Sequence, residues 1–159
     1  NFYRPDDYNL QIGVSDKNGQ QEMYFHHERS AINTLDSKRS SKSILKKNIK
    51  TLTLNNIIEK SKFKNQPIDY LSIDVEGYEL NVLKGFDLNK YKPKALSVEY
   101  IDPKMIKEEY YHQNINNILH SDLYKLLTNH EYHFVNWLHS DLIFVSNEVF
   151  TGKTKIINV

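Results

Sequence analysis

Cysteine is absent from this 159-residue chain, which excludes disulfides, thiolate zinc sites and a cysteine nucleophile. Glycine and proline are sparse, five and four residues, and no two glycines stand in a GxG arrangement, so a glycine-rich cofactor turn is missing. An excess of one charge is missing too. The 21 Lys and Arg face 20 Asp and Glu, a net charge of +1, which argues against a general nucleic-acid binder. No apolar run approaches bilayer-spanning length and no secretory leader is visible, so a cytoplasmic chain with no membrane partner is expected. What is present is ordinary globular material. A composition of 39% hydrophobic and 26% charged residues suits one domain with a real core, about residues 9–147 with a polar tail at 148–159.

The most informative stretch is IDYLSIDVEGYELNVLKG, Ile68 to Gly85. Ile68 to Val75 gathers Tyr70, Leu71, Ile73 and Val75 into the apolar run of a strand buried on both faces of a parallel sheet. Asp74, Glu76 and Gly77 fall where that strand emerges, and Tyr78 to Lys84 reads as a short helix with Leu80 and Leu83 on one face. Gly85 stands where a left-handed residue commonly closes a helix. Ligands of open α/β sheets bind beyond the carboxyl ends of the strands, so Asp74 and Glu76 are candidate site residues. Ala95 to Tyr100 repeats the pattern: a second buried-looking strand carries Glu99 at its carboxyl end. Asp74, Glu76 and Glu99 are therefore expected to converge on one rim and to favour a cationic ligand. Pairing of Glu99 with a lysine, or exposure at the strand end, is the plainer alternative.

Elsewhere the pattern is uneven. Asn9 to Ser15 alternates as a half-covered strand near a sheet edge, and Asp16 to Gly19 turns the chain into a second strand, Glu22 to Phe25. Lys38, Arg39, Lys42, Lys46, Lys47 and Lys50 form a basic stretch without an acid or an interleaved aromatic, which reads as a solvated loop. Thr53 is a good N-cap for a helix burying Leu54, Ile57 and Ile58, and the return to Ile68 makes a crossover typical of a parallel sheet. Phe86 to Lys94 reads as a loop, and Ile101 to His120 as a helix-containing cap. Ser121 caps a helix to Asn129 with Leu123, Leu126 and Leu127 inward, and Tyr132–Trp137 and Leu142–Val145 form a closing hairpin about His139 to Asp141. Neither His26 with His27 nor His130 with His133 has metal-ligand geometry, so no metal is assigned; a mixed carboxylate and histidine site for a divalent ion near Asp74 and Glu99 stays open, because spacing does not decide it.

The segment IDYLSIDVEGYELNVLKGFDL resembles the signature of the FkbM family of S-adenosylmethionine-dependent methyltransferases, I-D-V-E-G-x-E-x-x-V-L-K-G. Every fixed position is present, at Ile73, Asp74, Val75, Glu76, Gly77, Glu79, Val82, Leu83, Lys84 and Gly85. The resemblance extends to RPDDYNLQIGVSDKNGQQEMYF, KTLTLNNII, KPKALSVEY and DLIFVSN. It implies an α/β fold with a Rossmann-like class I methyltransferase sheet, mostly parallel with a C-terminal antiparallel hairpin. With no GxG turn, the sheet is expected to be N-terminally truncated. The implied activity is methyl transfer from S-adenosylmethionine to a hydroxyl of a sugar or other small molecule. Asp74, Glu76 and Glu99 are then candidates for catalysis or acceptor binding. Ser15, Asp16 and Asp74 are candidates for cofactor binding, with a simple hairpin turn as the alternative role of Asp16. An exposed sheet edge would favour self-association. The competing expectation, motivated by the missing glycine turn, is a non-catalytic α/β module derived from such an enzyme.

Overall fold

A computed structural model describes residues 5–26, 32–43, 45–101 and 114–152. The chain forms β1 (Gly13–Val14), β2 (Gly19–Phe25), β3 (Leu45–Leu52), α1 (Leu54–Lys60), β4 (Tyr70–Ile73), α2 (Glu79–Lys84), α3 (Leu88–Tyr91) and β5 (Ala95–Glu99). It continues through α4 (Ile115–Leu119), α5 (Asp122–Asn129), β6 (Tyr132–Leu138), β7 (Asp141–Ser146) and α6 (Asn147–Phe150). The strands make two sheets, ordered β1-β3-β2 and β4-β5-β7-β6.

The fold is α/β, but the strands do not join into the expected single, mostly parallel Rossmann-like sheet. Among the described residues only β1/β3 and β4/β5 run parallel, while β2/β3, β5/β7 and β6/β7 are antiparallel. The crossover read from β3 through α1 to β4 links different sheets, so it forces no parallel pairing. β4 through α2 and α3 to β5 is the crossover that does return to a parallel neighbour. The closing hairpin is as expected, and it places β7 beside β5.

The second sheet carries the core. Leu96, Val98, Leu142 and Phe144 are fully buried, and Ile73, Val82, Leu83, Phe86, Leu88, Ile118, Leu123, Leu127 and Tyr132 close around them. Each such side chain contributes on the order of 2 kcal/mol of burial. β5 is central and buried on both faces from Leu96 to Glu99. β4 is terminal in its sheet and alternates: Ile73 is buried, whereas Tyr70 is 58% exposed. The apolar run Ile68 to Val75 therefore overstates both its length and its cover.

Caps account for several helix starts. Thr53 Oγ1 accepts from Asn56 N at 3.1 Å at the head of α1, and Ser121 Oγ accepts from Tyr124 N at 3.1 Å at the head of α5. In α5, Leu123 and Leu127 are buried and Leu126 partly so. Leu54 and Ile58 of α1 pack against the core without becoming fully buried. Asp87 caps α3, a helix inside a stretch read as loop.

The first sheet departs furthest from expectation. The alternating run Asn9 to Ser15 yields only Gly13–Val14 as strand. The basic stretch is not a solvated loop: Ser37–Lys42 is a 3-10 turn, and Leu45–Leu52 is the middle strand, paired along the length of β2. Its lysines lie on an exposed ribbon, which hides the period-two signal of a buried strand. Of the cap read across Ile101 to His120, residues 102–113 lie outside the described residues; α4 is what is seen of it. The tail includes α6, and residues 153–159 lie outside the described part.

Candidate functional site

The rim where β4 and β5 end brings the three predicted acids together. Ile73 pairs with Val98, so Asp74 and Glu99 emerge from adjacent strands in register. One carboxylate oxygen from each of Asp74, Glu76 and Glu99 lies within 4.8 Å of the others. Asp74 is exposed, Glu76 half-buried, and Glu99 buried at 7% exposure. Glu99 Oε2 is sealed from solvent and has no hydrogen-bond partner.

Such crowding is held by the turn beneath it. Glu76 sits at φ 56° and Gly77 at φ 94°, left-handed conformations that a side-chain-bearing residue adopts only at a cost. Glu79 holds the turn from below: its Oε1 accepts from Val75 N at 3.1 Å and from Gly77 N at 3.0 Å. Thr34, also buried, holds it from the side by donating to the Glu76 carbonyl at 2.7 Å while accepting from Asp36 N at 2.9 Å. Above the turn lies Arg39, whose Nη2 pairs with Glu76 Oε2 at 3.3 Å. A Cβ on Gly77 would stand 2.7 Å from Arg39 Cδ, so a glycine is needed there for space as well as for φ.

The electrostatics follow from that packing. Burial, then the negative charges of Glu76, Asp74 and Glu79, push the Glu99 carboxyl up to about 8, against a partial counterweight from Arg39. Burial also raises Glu79, although its own, Gly77 and Val75 backbone N–H groups oppose the shift. Arg39, Thr34 and Glu79 are site residues that the sequence reading did not assign. Glu79 was visible as a fixed position of the signature, and its role is to hold the turn. Arg39 was hidden within the basic stretch, and Thr34 carried no signal.

Ser15 and Asp16 lie elsewhere. Ser15 is fully buried, donates from Oγ to Asp16 Oδ1 at 2.9 Å and accepts from Gln21 Nε2 at 2.8 Å. Their backbone packs on Gly85, where an added Cβ would stand 2.4 Å from Ser15 O and 2.9 Å from Asp16 Cα. Gly85 has φ −86°, so its glycine is explained by this close approach and not by a left-handed cap. The contact is at the carboxyl end of α2, about 9 Å of helix from the acidic turn at its amino end. A shallow concavity beside α1, lined by Asp7, Tyr8, Ile57, Ile58 and Phe63, shares no residue with the cluster. No histidine joins the cluster among the described residues, and His27 and His112 lie outside them.

A family model for the methyltransferase FkbM domain matches residues 1–134, and these include the turn and both strands that carry the acids. The chain belongs to the FkbM methyltransferase family. No curated protein and no solved structure matches it. The cofactor such domains generally use, S-adenosylmethionine, carries a sulfonium and an ammonium. The buried, unpartnered Glu99 oxygen and its acidic neighbours fit that positive charge. The glycines do not provide the cradle. Gly13 is crowded by Ile49 and Thr51, Gly77 by Arg39 and Gly85 by Ser15, while Gly19 opens β2 and Gly152 lies beyond α6. This FkbM domain therefore presents an acidic wall suited to a cation, without a glycine-rich turn. Among the described residues, no helix is long and apolar enough to cross a membrane.

Proposed function

We propose that this FkbM domain transfers a methyl group from S-adenosylmethionine to a hydroxyl of a sugar or other small molecule, at the rim formed by Asp74, Glu76 and Glu99. The observation that carries the reading is the convergence of these carboxylates, with a buried and unpartnered Glu99 oxygen, on the signature turn of the family. The cofactor supplies the methyl group. The chain's own part is positioning and proton handling: one carboxylate of the rim accepts a hydrogen bond from the acceptor hydroxyl, orients its oxygen and takes its proton as the new bond forms, while the other acids line the site. Arg39 and Glu79 hold the turn so that these groups stay aimed. The parallel β4–β5 pair and the hairpin that follows support a Rossmann-like lineage. The ends of Ser15 and Asp16 near α2 are kept in this reading as the adenosine side.

The test is transfer of labelled methyl from S-adenosylmethionine to a panel of hydroxylated acceptors, with calorimetric titration of the cofactor alongside. Glu99→Gln and Asp74→Asn should retain the fold and lower turnover by about 10²-fold or more. Full activity in both variants would overturn the assignment. A second reading, a non-catalytic module, is favoured by one observation, the commitment of Gly13, Gly77 and Gly85 to packing; absence of cofactor binding would move it ahead. Self-association belongs to the same proposal. β4 is terminal in its sheet and exposes Tyr70 and Ser72, and light scattering that showed only monomer at high concentration would remove that part.

A further inference from the structure

Four carboxylates crowd the end of β4 and β5, and Arg39 is the cation seen to pair with one of them. Glu79 is satisfied by the Val75 and Gly77 amides, and Arg39 takes Glu76. Glu99 is left with a buried oxygen that no donor reaches, although the side chain is more than nine-tenths buried. A buried carboxyl oxygen without a donor is costly, and a positive group shared with Asp74 and Glu76 would supply its partner. The spacing says which kind. Oxygens that share a hard cation at about 2.0–2.6 Å stand roughly 3–5 Å apart, and the oxygens of Asp74, Glu76 and Glu99 lie within 4.8 Å of one another.

We propose that Asp74, Glu76 and Glu99 bind a hard divalent cation of the Mg2+, Mn2+ or Ca2+ type. Among the described residues the donor set is oxygen alone, with no imidazole in the cluster, and the chain has no thiolate, which disfavours zinc and copper. Exposed Asp74 gives the ion a way in from solvent, and buried Glu99 closes the inner side. Three carboxylate ligands leave further positions on such an ion for water or other oxygens. The inference deepens the reading above and rests on it for its role: an ion at this rim would polarise an acceptor hydroxyl held on an open position, a task otherwise left to a bare carboxylate. Arg39 competes with the ion for Glu76, so occupancy and the Arg39–Glu76 pair are coupled.

The experiment is titration of the chelator-treated chain with MnCl2, followed by the electron paramagnetic resonance of free Mn2+. One saturable Mn2+ per chain is expected, with a dissociation constant in the millimolar range or tighter. Asp74→Asn and Glu99→Gln, shown to be folded by circular dichroism, should each weaken it by about tenfold or more. No saturable binding to the unaltered chain would overturn the proposal. So would unchanged affinity in folded Asp74→Asn, a change at an exposed position that decides the matter even if Glu99→Gln misfolds. The readout is separate from methyl transfer. Transfer without Mn2+ uptake would end this inference and leave the transferase reading; uptake without transfer would do the reverse.

Discussion

The two sheets of this chain are built from different materials. In β4-β5-β7-β6, Leu96, Val98, Leu142 and Phe144 are fully buried, and Phe134 and Phe144 pack ring against ring with each other and with Tyr124 of α5. In β1-β3-β2, the fully buried groups are largely polar, Ser15, Thr34 and Thr51, with Tyr24 as the main apolar contribution. Along β3 the side chains from Leu45 to Asn48 are exposed, and the Lys46–Glu22 pair at 3.2 Å lies open to solvent, where such pairs add little. The second sheet thus carries most of the apolar stability and both site strands. The first sends Thr34 and Arg39 across to hold the acidic turn and presses Ser15 onto Gly85. One half supplies the platform, and the other supplies clamps. Clamps of this kind do not need a large core of their own.

Truncating each sheet at an apolar strand position is the strongest way to break that comparison. Leu96→Ala, in the centre of β5 at 0% exposure, should cost about 3–5 kcal/mol because it leaves a cavity walled by the main core. Leu45→Ala, at 45% exposure on β3, should cost less than about 0.5 kcal/mol. Urea unfolding of the two variants decides it. Equal losses would mean that the first sheet has an apolar role that burial does not reveal.

The acids of the rim give the second sheet a pH dependence of its own. Below about 4.5 the Glu99 carboxyl is protonated in both folded and unfolded chains, so it contributes no difference. Between there and about 8 the unfolded chain releases a proton that the folded chain retains. Stability therefore falls as pH rises through this window, and Glu79, also raised, adds in the same direction. In buffer with chelator, the melting temperature should decline over that range, and Glu99→Gln should flatten the decline. The lowered carboxyls of Glu22 and Glu59 act oppositely and at lower pH, from exposed positions. A melting temperature that rose steadily to pH 8 would contradict the desolvation of Glu99.

How much of this was legible follows the same division. The signature turn, β5 with Glu99, the capped helices α1 and α5 and the closing hairpin were readable, since each pairs a local signal with burial in one core. Thr53 and Ser121 show this most plainly: a cap residue followed by apolar spacing gave helices where expected. β3 was not readable, because its lysines face water and it is held by β2 instead of by a core. The sheet partition was not readable either, for the pattern of strand, helix and strand does not say which sheet receives the second strand. At the site, carboxylates at strand ends were visible from sequence, while Arg39 and Thr34 were not. They act across the joint between the sheets, and no local period records a contact between residues 42 positions apart, as in Thr34 to Glu76.

That joint can be loosened at one atom. Gly85→Ala would drive a Cβ to 2.4 Å from the Ser15 carbonyl oxygen and 2.9 Å from Asp16 Cα, both backbone contacts that cannot swing aside. The expected cost is about 2 kcal/mol, less than a core truncation, because the sheets separate slightly instead of leaving a cavity. The conformation itself is not the obstacle, since φ −86° suits alanine. Loss should appear first as faster hydrogen exchange of the Ser15 amide, which donates to Leu52 O at 3.0 Å, before that of β5. If β5 exchanged faster by the same factor, the two sheets would unfold as one unit, and the division into platform and clamp would describe composition without describing cooperativity.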